Sequence, residues 1–227
     1  MGLIRTGPPE DLVLLLARHE PVVAFVETGT CHGVTAAWAA GHFPRVFTVE
    51  FSRELHEQAC GRFAGLANAE FRFGDSRTEL RKILQQFSGL GLFWLDAHWS
   101  GSVTYGEGDE CPLLAELAVL AASGREALVM IDDARCFLAP PALPHRAAFW
   151  PTVAEVCAAL AQLPPNYIVV FEDVIISVPL RFRPVVERHC QERATTAGKG
   201  GGKPKGRPKR WWQKLRESLA ASPARRS

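Results

Sequence analysis

The segment Phe25-Val26-Glu27-Thr28-Gly29-Thr30-Cys31-His32-Gly33-Val34-Thr35-Ala36 places an apolar run, an acidic residue and a glycine turn directly before a helix-forming stretch. That order reads as a strand feeding a helix across a ligand-binding turn. Gly29 lets the chain reverse with no Cβ in the way, Gly33 lets the next helix start close to a ligand, and the helix N-terminus offers free N–H groups. The spacing restricts the ligand. A dinucleotide turn reads G-x-G-x-x-G, whereas this one reads E-x-G-x-x-x-G, with no crowded glycine pair for a pyrophosphate. The Glu27 carboxylate would repel a phosphate and suits a ligand carrying a free ammonium group. A plain strand-to-helix turn can look similar, so the remainder of the chain has to decide.

Further β-rich runs follow, and each ends in an acid. Val46 to Val49 leads to Glu50, seventeen residues beyond Gly33, where a carboxylate accepts hydrogen bonds from ribose hydroxyls. Phe71-Arg72-Phe73-Gly74-Asp75-Ser76 reads as a third strand ending in Asp75, Leu92 to Leu95 leads to Asp96, and Ala127 to Ile131 leads to Asp132-Asp133. Helix-forming stretches at Arg53 to Ala64, Thr78 to Phe87 and Leu113 to Ala122 separate them, with another at Asp11 to His19 ahead of the first strand. Strands alternating with helices predict a parallel sheet with helices on both faces, which puts these acids on one sheet edge, where open α/β folds bind ligands.

After the fifth strand the pattern predicts a helix over Thr152 to Leu163, stopped by Pro164-Pro165. Two runs then follow, Tyr167 to Phe171 and Val174 to Val178, parted only by Glu172-Asp173, a hairpin signal. On these motifs, residues 20 to 182 resemble a class I S-adenosylmethionine-dependent methyltransferase. VETGTCHG stands as the first motif, Glu50 at the ribose position and Asp75 on the adenine side. The resemblance implies a Rossmann-like α/β fold, with a seven-stranded, mostly parallel sheet that ends in an antiparallel hairpin. It also implies cofactor contacts from Glu27, Thr28, Gly29, Gly33, Glu50, Phe51, Asp75, Ser76 and Asp96.

Within that family the chain is most similar to the divalent-cation-dependent O-methyltransferases of the catechol, caffeoyl-coenzyme A and macrocin types. Their pattern places a metal-binding Asp after the fourth strand and an Asp-Asp or Asp-Asn pair after the fifth. It implies Asp96, in LDAH, and Asp132-Asp133, in IDDA, as ligands for Mg2+. Methyl transfer from a sulfonium is an in-line displacement, so catalysis rests on positioning and on making the acceptor oxygen nucleophilic. A hard cation held by carboxylates does both. His98, two residues past Asp96, is the candidate general base, beside Asp96 itself as a catalytic residue.

A chain of 227 residues with 47% hydrophobic content suffices for one catalytic domain, expected over residues 1–194. No apolar run approaches the ~20 residues a bilayer span requires, and the opening MGLIRTGPPEDL lacks the apolar core of a secretory signal. Cys31, Cys60, Cys111, Cys136, Cys157 and Cys190 show no C-x-x-C pairing, as expected of reduced thiols in a cytoplasmic enzyme. Met1 to Thr6 also fits the short N-myristoylation pattern. Two loops border the expected site. Trp99 to Pro112 is a Gly-rich connection of fourteen residues that suits a lid. Arg135 to Pro151 is stiffened by four prolines, and its Phe137, Phe149 and Trp150 suit either an acceptor wall or plain packing.

From Thr195 onward the material changes. Residues 195–227 hold ten Lys and Arg against Glu217 alone, while the remaining residues hold 16 basic against 23 acidic, so a nearly neutral total conceals two opposite halves. Gly198 to Arg210 has no apolar residue and reads as a flexible arm. Its Gly206-Arg207-Pro208 resembles the core of an AT-hook. Trp211, Trp212, Leu215 and Leu219 would share one face of a helix flanked by Lys214 and Arg216, which suits an anionic membrane surface. The expected partners are thus a small-molecule acceptor for the domain, with a hydroxyl oxygen as the methylated atom, and a membrane surface or nucleic acid for the tail, against the plainer reading of a solvated tail that docks nowhere or folds back onto the acidic domain. A homodimer and a peripheral membrane location are further expectations. The competing readings are a nicotinamide-dependent oxidoreductase using Glu50 for ribose and a non-enzymatic nucleotide-binding module.

Overall fold

The computed structural model describes residues 7–99 and 108–199. The Met1 to Thr6 pattern, most of the Gly-rich connection, and the arm from residue 200 onward with its Trp211 to Leu219 face lie outside the described residues. The chain divides into two compact units between Glu187 and Arg188.

In the first unit the elements run α1 (Glu10–His19), β1 (Ala24–Thr28), α2 (Val34–Ala40), β2 (Val46–Glu50), α3 (Arg53–Arg62), β3 (Ala69–Phe73), α4 (Ser76–Leu84), β4 (Gly91–Leu95), α5 (Leu113–Ala122), β5 (Ala127–Ile131), α6 (Arg135–Leu138), α7 (Val153–Leu160), β6 (Asn166–Phe171) and β7 (Val174–Pro179). The seven strands form one sheet in the order β3-β2-β1-β4-β5-β7-β6. Pairings among β1 to β5 are parallel, and β7 pairs antiparallel with both β5 and β6. The expected Rossmann-like architecture is the one observed.

Burial explains the strand sequences. β1, β2, β4, β5 and β7 are buried at every position, whereas the edge strands β3 and β6 are largely half-exposed. Strands covered on both faces have no solvent side to pattern, so they read as continuous apolar runs. Alternation still selects the face: Val26 joins Phe47, Phe93 and Val129 in the cluster with Leu80, Leu117, Leu120 and Leu160. Its neighbour Phe25 points the other way, against Trp38 and Phe43. The hairpin turn forms as the sequence predicts. Phe171 faces Val174, and both residues between them, Glu172 (φ 47°) and Asp173 (φ 71°), are left-handed, the conformation that matches strand twist in a two-residue turn.

Several boundaries move. The segment Gly74-Asp75-Ser76 is not strand: Gly74 has φ 149°, and Asp75 caps α4, which therefore starts at Ser76 and not Thr78. α7 ends at Leu160, three residues before the expected stop. The segment read as a loop after β5 contains α6 and a 3-10 turn at Ala147–Phe149. A final helix, α8 (Arg183–Lys199), continues through Ala194 and Thr195, the boundary drawn from composition, since no Gly or Pro interrupts the chain between Pro184 and Gly198. Among the described residues no helix is long and apolar enough to cross a membrane.

Candidate active site

The strand order reverses direction at β1, which lies between β2 and β4, and the crevice outside the strand carboxyl ends opens there. It is a cavity of about 510 Å³ whose lining includes Gly29, Cys31, Glu50, Phe51, Asp75, Ser76, Asp96, His98, Trp99 and Glu110. Main-chain pairing carries on past the strand ends: Asp96 N–H donates to Thr28 O (3.0 Å) and Asp132 N–H to Leu95 O (3.1 Å). Successive acids therefore line up along one rim.

Gly29 has φ +85°, and a Cβ there would lie 2.4 Å from the Asp96 carbonyl oxygen, a backbone atom that cannot step aside. The turn after β1 thus packs directly on the turn after β4, and its N–H donates to Val49 O at 2.9 Å. Gly33 differs from expectation. Its φ of +70° does require glycine, but a Cβ would meet the Phe63 ring at 2.9 Å, so Gly33 serves the packing of α2 against the end of α3.

Glu50 is 7% exposed, and each of its oxygens accepts one main-chain N–H, from Cys31 and Ser52, both at 2.8 Å. A carboxylate has about four acceptor sites, so lone pairs remain for ribose hydroxyls. Glu27 is buried, and its Oε2 accepts from Thr48 Oγ1 at 2.6 Å. Burial pushes its pKa to about 8, against the hydrogen bonds from Thr48 and Thr35. Asp75 has less freedom than the sequence suggested. Both its oxygens engage the Arg77 guanidinium (2.6 to 3.0 Å), which holds the carboxyl below its usual range. Arg77 also reaches Asp109 at 2.7 Å, tying α4 to the chain beyond β4. This arginine was not singled out from the sequence, because a charged residue in the first turn of a helix reads as solvated.

The rim under β4 and β5 is crowded with acids. Burial, then Asp132 and Asp133, push the Asp96 carboxyl well above its usual pKa, and burial with Asp133 pushes Asp132 to about 7. Burial alone would raise Asp133 as well, but His98 and Arg135 outweigh it and hold Asp133 below the ordinary range. His98 bridges two of the acids, with Nδ1 3.3 Å from Asp96 Oδ1 and Nε2 3.2 Å from Asp133 Oδ2. Arg135 Nη1 lies 2.7 Å from Asp133 Oδ1, and Asp132 Oδ1 accepts the Asp133 N–H at 2.8 Å. Four oxygens of the expected Mg2+ ligands are engaged as they stand: Asp96 Oδ1 and Asp133 Oδ2 by His98, Asp133 Oδ1 by Arg135 and Asp132 Oδ1 by the main chain. Among the described residues no group of three or more His, Cys, Asp or Glu side chains is arranged to hold a metal ion.

The wall beyond β5 is pinned by a residue the sequence did not reveal. Glu110, 2% exposed, accepts from Trp150 Nε1 (2.8 Å) and Arg146 N–H (3.1 Å) and lies 3.1 Å from His145 Nδ1. His98 and His145 both pack on Trp150, and Trp99 stands edge-on to His145. Of the two roles suggested for the aromatic residues of the Pro-rich segment, the packing one is visible: Phe137 and Trp150 are buried in the core cluster and Phe149 packs against it.

No protein-family model matches the sequence, and no curated protein matches it. Solved structures do. A Bacillus cereus O-methyltransferase in complex with S-adenosylhomocysteine is 16% identical, with a TM-score of 0.54 over 77% of this chain and 82% of its own. TomG, an O-methyltransferase from Streptomyces achromogenes in complex with S-adenosylmethionine, is 17% identical, with a TM-score of 0.52 over 78% of this chain and 82% of its own. The Podospora anserina methyltransferase PaMTH1, bound to S-adenosylhomocysteine, is 16% identical, with a TM-score of 0.51 over 76% of this chain and 79% of its own. With the seven-stranded sheet and its terminal hairpin, these likenesses establish that the chain has the fold of the class I S-adenosylmethionine-dependent methyltransferases.

Proposed function

We propose that the protein transfers a methyl group from S-adenosylmethionine to a hydroxyl oxygen of a small molecule. The observation that carries this reading is the crevice itself: a Gly29 turn with no space for a Cβ, Glu50 with acceptor capacity to spare, and His98 on the same cavity wall. The O-methyltransferase neighbours bound to the same cofactor support it. The residues fit that cofactor, and the E-x-G-x-x-x-G turn, which lacks the glycine pair of G-x-G-x-x-G, disfavours a nicotinamide dinucleotide.

When bound, S-adenosylmethionine supplies an electrophilic methyl group on a sulfonium. The chain's own residues do the remainder. Glu50 holds ribose hydroxyls, and Gly29 and the main chain beside it shape the floor. With Asp133 ionised, His98 Nε2 carries the proton and donates to it, which leaves Nδ1, 3.3 Å from Asp96 Oδ1, as the nitrogen without a proton. An acceptor hydroxyl placed there would give its proton to Nδ1 as its oxygen took the methyl group, the methyl–sulfur bond breaking so that S-adenosylhomocysteine leaves as a neutral thioether. Glu110 and Trp150 keep that wall closed and packed.

Calorimetric titration with S-adenosylhomocysteine, NAD and a DNA duplex tests the reading, and only the first should bind the cavity. Glu50→Ala is expected to weaken S-adenosylhomocysteine binding by at least ~1 kcal/mol, as for a lost hydrogen bond to a charged group. Unchanged affinity would remove Glu50 from the site. Glu27 is buried behind the crevice lining, and its pairing with the ligand ammonium is read from a pH dependence of binding. Its pKa of about 8 means a mostly protonated carboxyl at neutral pH, and a ligand ammonium pairs with the ionised form. Affinity is therefore expected to rise from pH 6 toward 8, by up to about tenfold per unit, and Glu27→Gln should flatten the profile.

A divalent cation on Asp96, Asp132 and Asp133 is the second reading, favoured by the mutual repulsion that raises the first two. Chelation decides between them. With His98 as the base, turnover is expected to survive EDTA; loss of turnover with cofactor binding intact would restore the metal.

A further inference from the structure

Asp173 sits in the two-residue turn between β6 and β7, far along the chain from the cofactor motifs, yet it packs on the turn after β5. It is 9% exposed. Its main-chain oxygen accepts the Ala134 N–H at 2.9 Å, its Oδ1 accepts the Arg135 N–H at 2.9 Å, and its Oδ2 is ion-paired with Arg135 Nη1. The same Nη1 lies 2.7 Å from Asp133 Oδ1, and Asp133 Oδ2 lies 3.2 Å from His98 Nε2. A single file of contacts therefore runs from the hairpin tip to the imidazole. Asp133 itself is left-handed at φ 56°, a conformation Asp adopts more readily than most L residues and one that these contacts hold in place.

We propose that Asp173 is a positioning residue for His98, acting through Arg135 and Asp133 to fix the tautomer and orientation of the ring. The proposal rests on the reading of His98 as the base. Arg135 is 43% exposed along its side chain, so the buried Asp173 carboxylate is what keeps it from swinging into solvent. Without that anchor Asp133 Oδ1 loses its fixed donor, its carboxylate turns, and the bond to Nε2 no longer selects one tautomer.

Asp173→Asn separates this role from a structural one. Asn retains an oxygen for the Arg135 N–H and tolerates the left-handed turn, but removes the charge that holds the guanidinium. The experiment is two-bond 1H–15N NMR of the full-length protein, which reads imidazole tautomers directly; the chain has seven histidines, and His98→Asn assigns the relevant pattern. Wild type should show His98 as one Nε2–H tautomer. Asp173→Asn should convert that pattern alone to a tautomer mixture, with S-adenosylhomocysteine affinity unchanged within twofold, and Arg135→Lys should do the same because an ammonium lacks the fixed fork. An unchanged His98 pattern in Asp173→Asn overturns the proposal, as does a change spread over all seven histidines with loss of the folded spectrum. Failure of the wild type to bind S-adenosylhomocysteine would instead sink the methyltransferase reading, a separate result on the same samples.

Discussion

His98→Asn is expected to lower methyl transfer by about 10²–10⁴-fold, the range a positioned general base supplies, while leaving S-adenosylhomocysteine affinity unchanged. The reason for the split is geometric. His98 lines the crevice with its ring nitrogens on Asp96 and Asp133, whereas Glu50, assigned to the ribose, is held by the main chain of the turns after β1 and β2. Release of S-adenosylhomocysteine, measured with any hydroxylated acceptor that the wild type turns over, reads the first quantity, and calorimetry reads the second. Full activity in the variant would remove His98 as the base and leave the carboxylates, with or without a cation, to activate the acceptor.

Gly29→Ala should produce the other large effect, this time on binding. A Cβ at 2.4 Å from the Asp96 carbonyl oxygen cannot be accommodated by a side-chain rotation, because the obstructing atom is backbone, and φ +85° is itself unfavourable for alanine. The turn after β1 must separate from the turn after β4, which opens the cofactor floor and moves Asp96 together. Affinity for S-adenosylhomocysteine should fall by at least about 100-fold, near 2.7 kcal/mol, and the melting temperature should drop by several degrees. Gly33→Ala is the useful comparison: there the obstacle is the Phe63 ring, a side chain that can yield, so the loss should be smaller. Equal losses would mean that both glycines act only through their backbone conformation.

The sheet was legible because its signals are local. Five-residue apolar runs that end in an acid, helix formers between them and two residues between the last strands leave few topologies, since parallel strands need crossovers and a two-residue loop permits only a hairpin. The acids on the rim follow from the same pattern: a residue just past a buried strand must leave the sheet at its carboxyl edge. What Asp75 does there was not legible, because the partner that occupies it is a helix residue with no distinguishing pattern around it.

The sequence by itself therefore determined the order of elements, the edge on which chemistry is possible and which acids reach that edge, all consequences of burial period and turn length acting over a few residues. Only the tertiary structure decided how those acids are used. His98 stands between Asp96 and Asp133, Arg135 links Asp133 to Asp173, and Glu110 binds Trp150 forty residues away. Each of these pairings sets the charge and direction of a carboxylate, and each depends on which strands lie side by side. Hydrogen bonding and ionisation respond to distance in space, and distance along the chain carries almost no information about it once strands 35 or more residues apart are packed as neighbours.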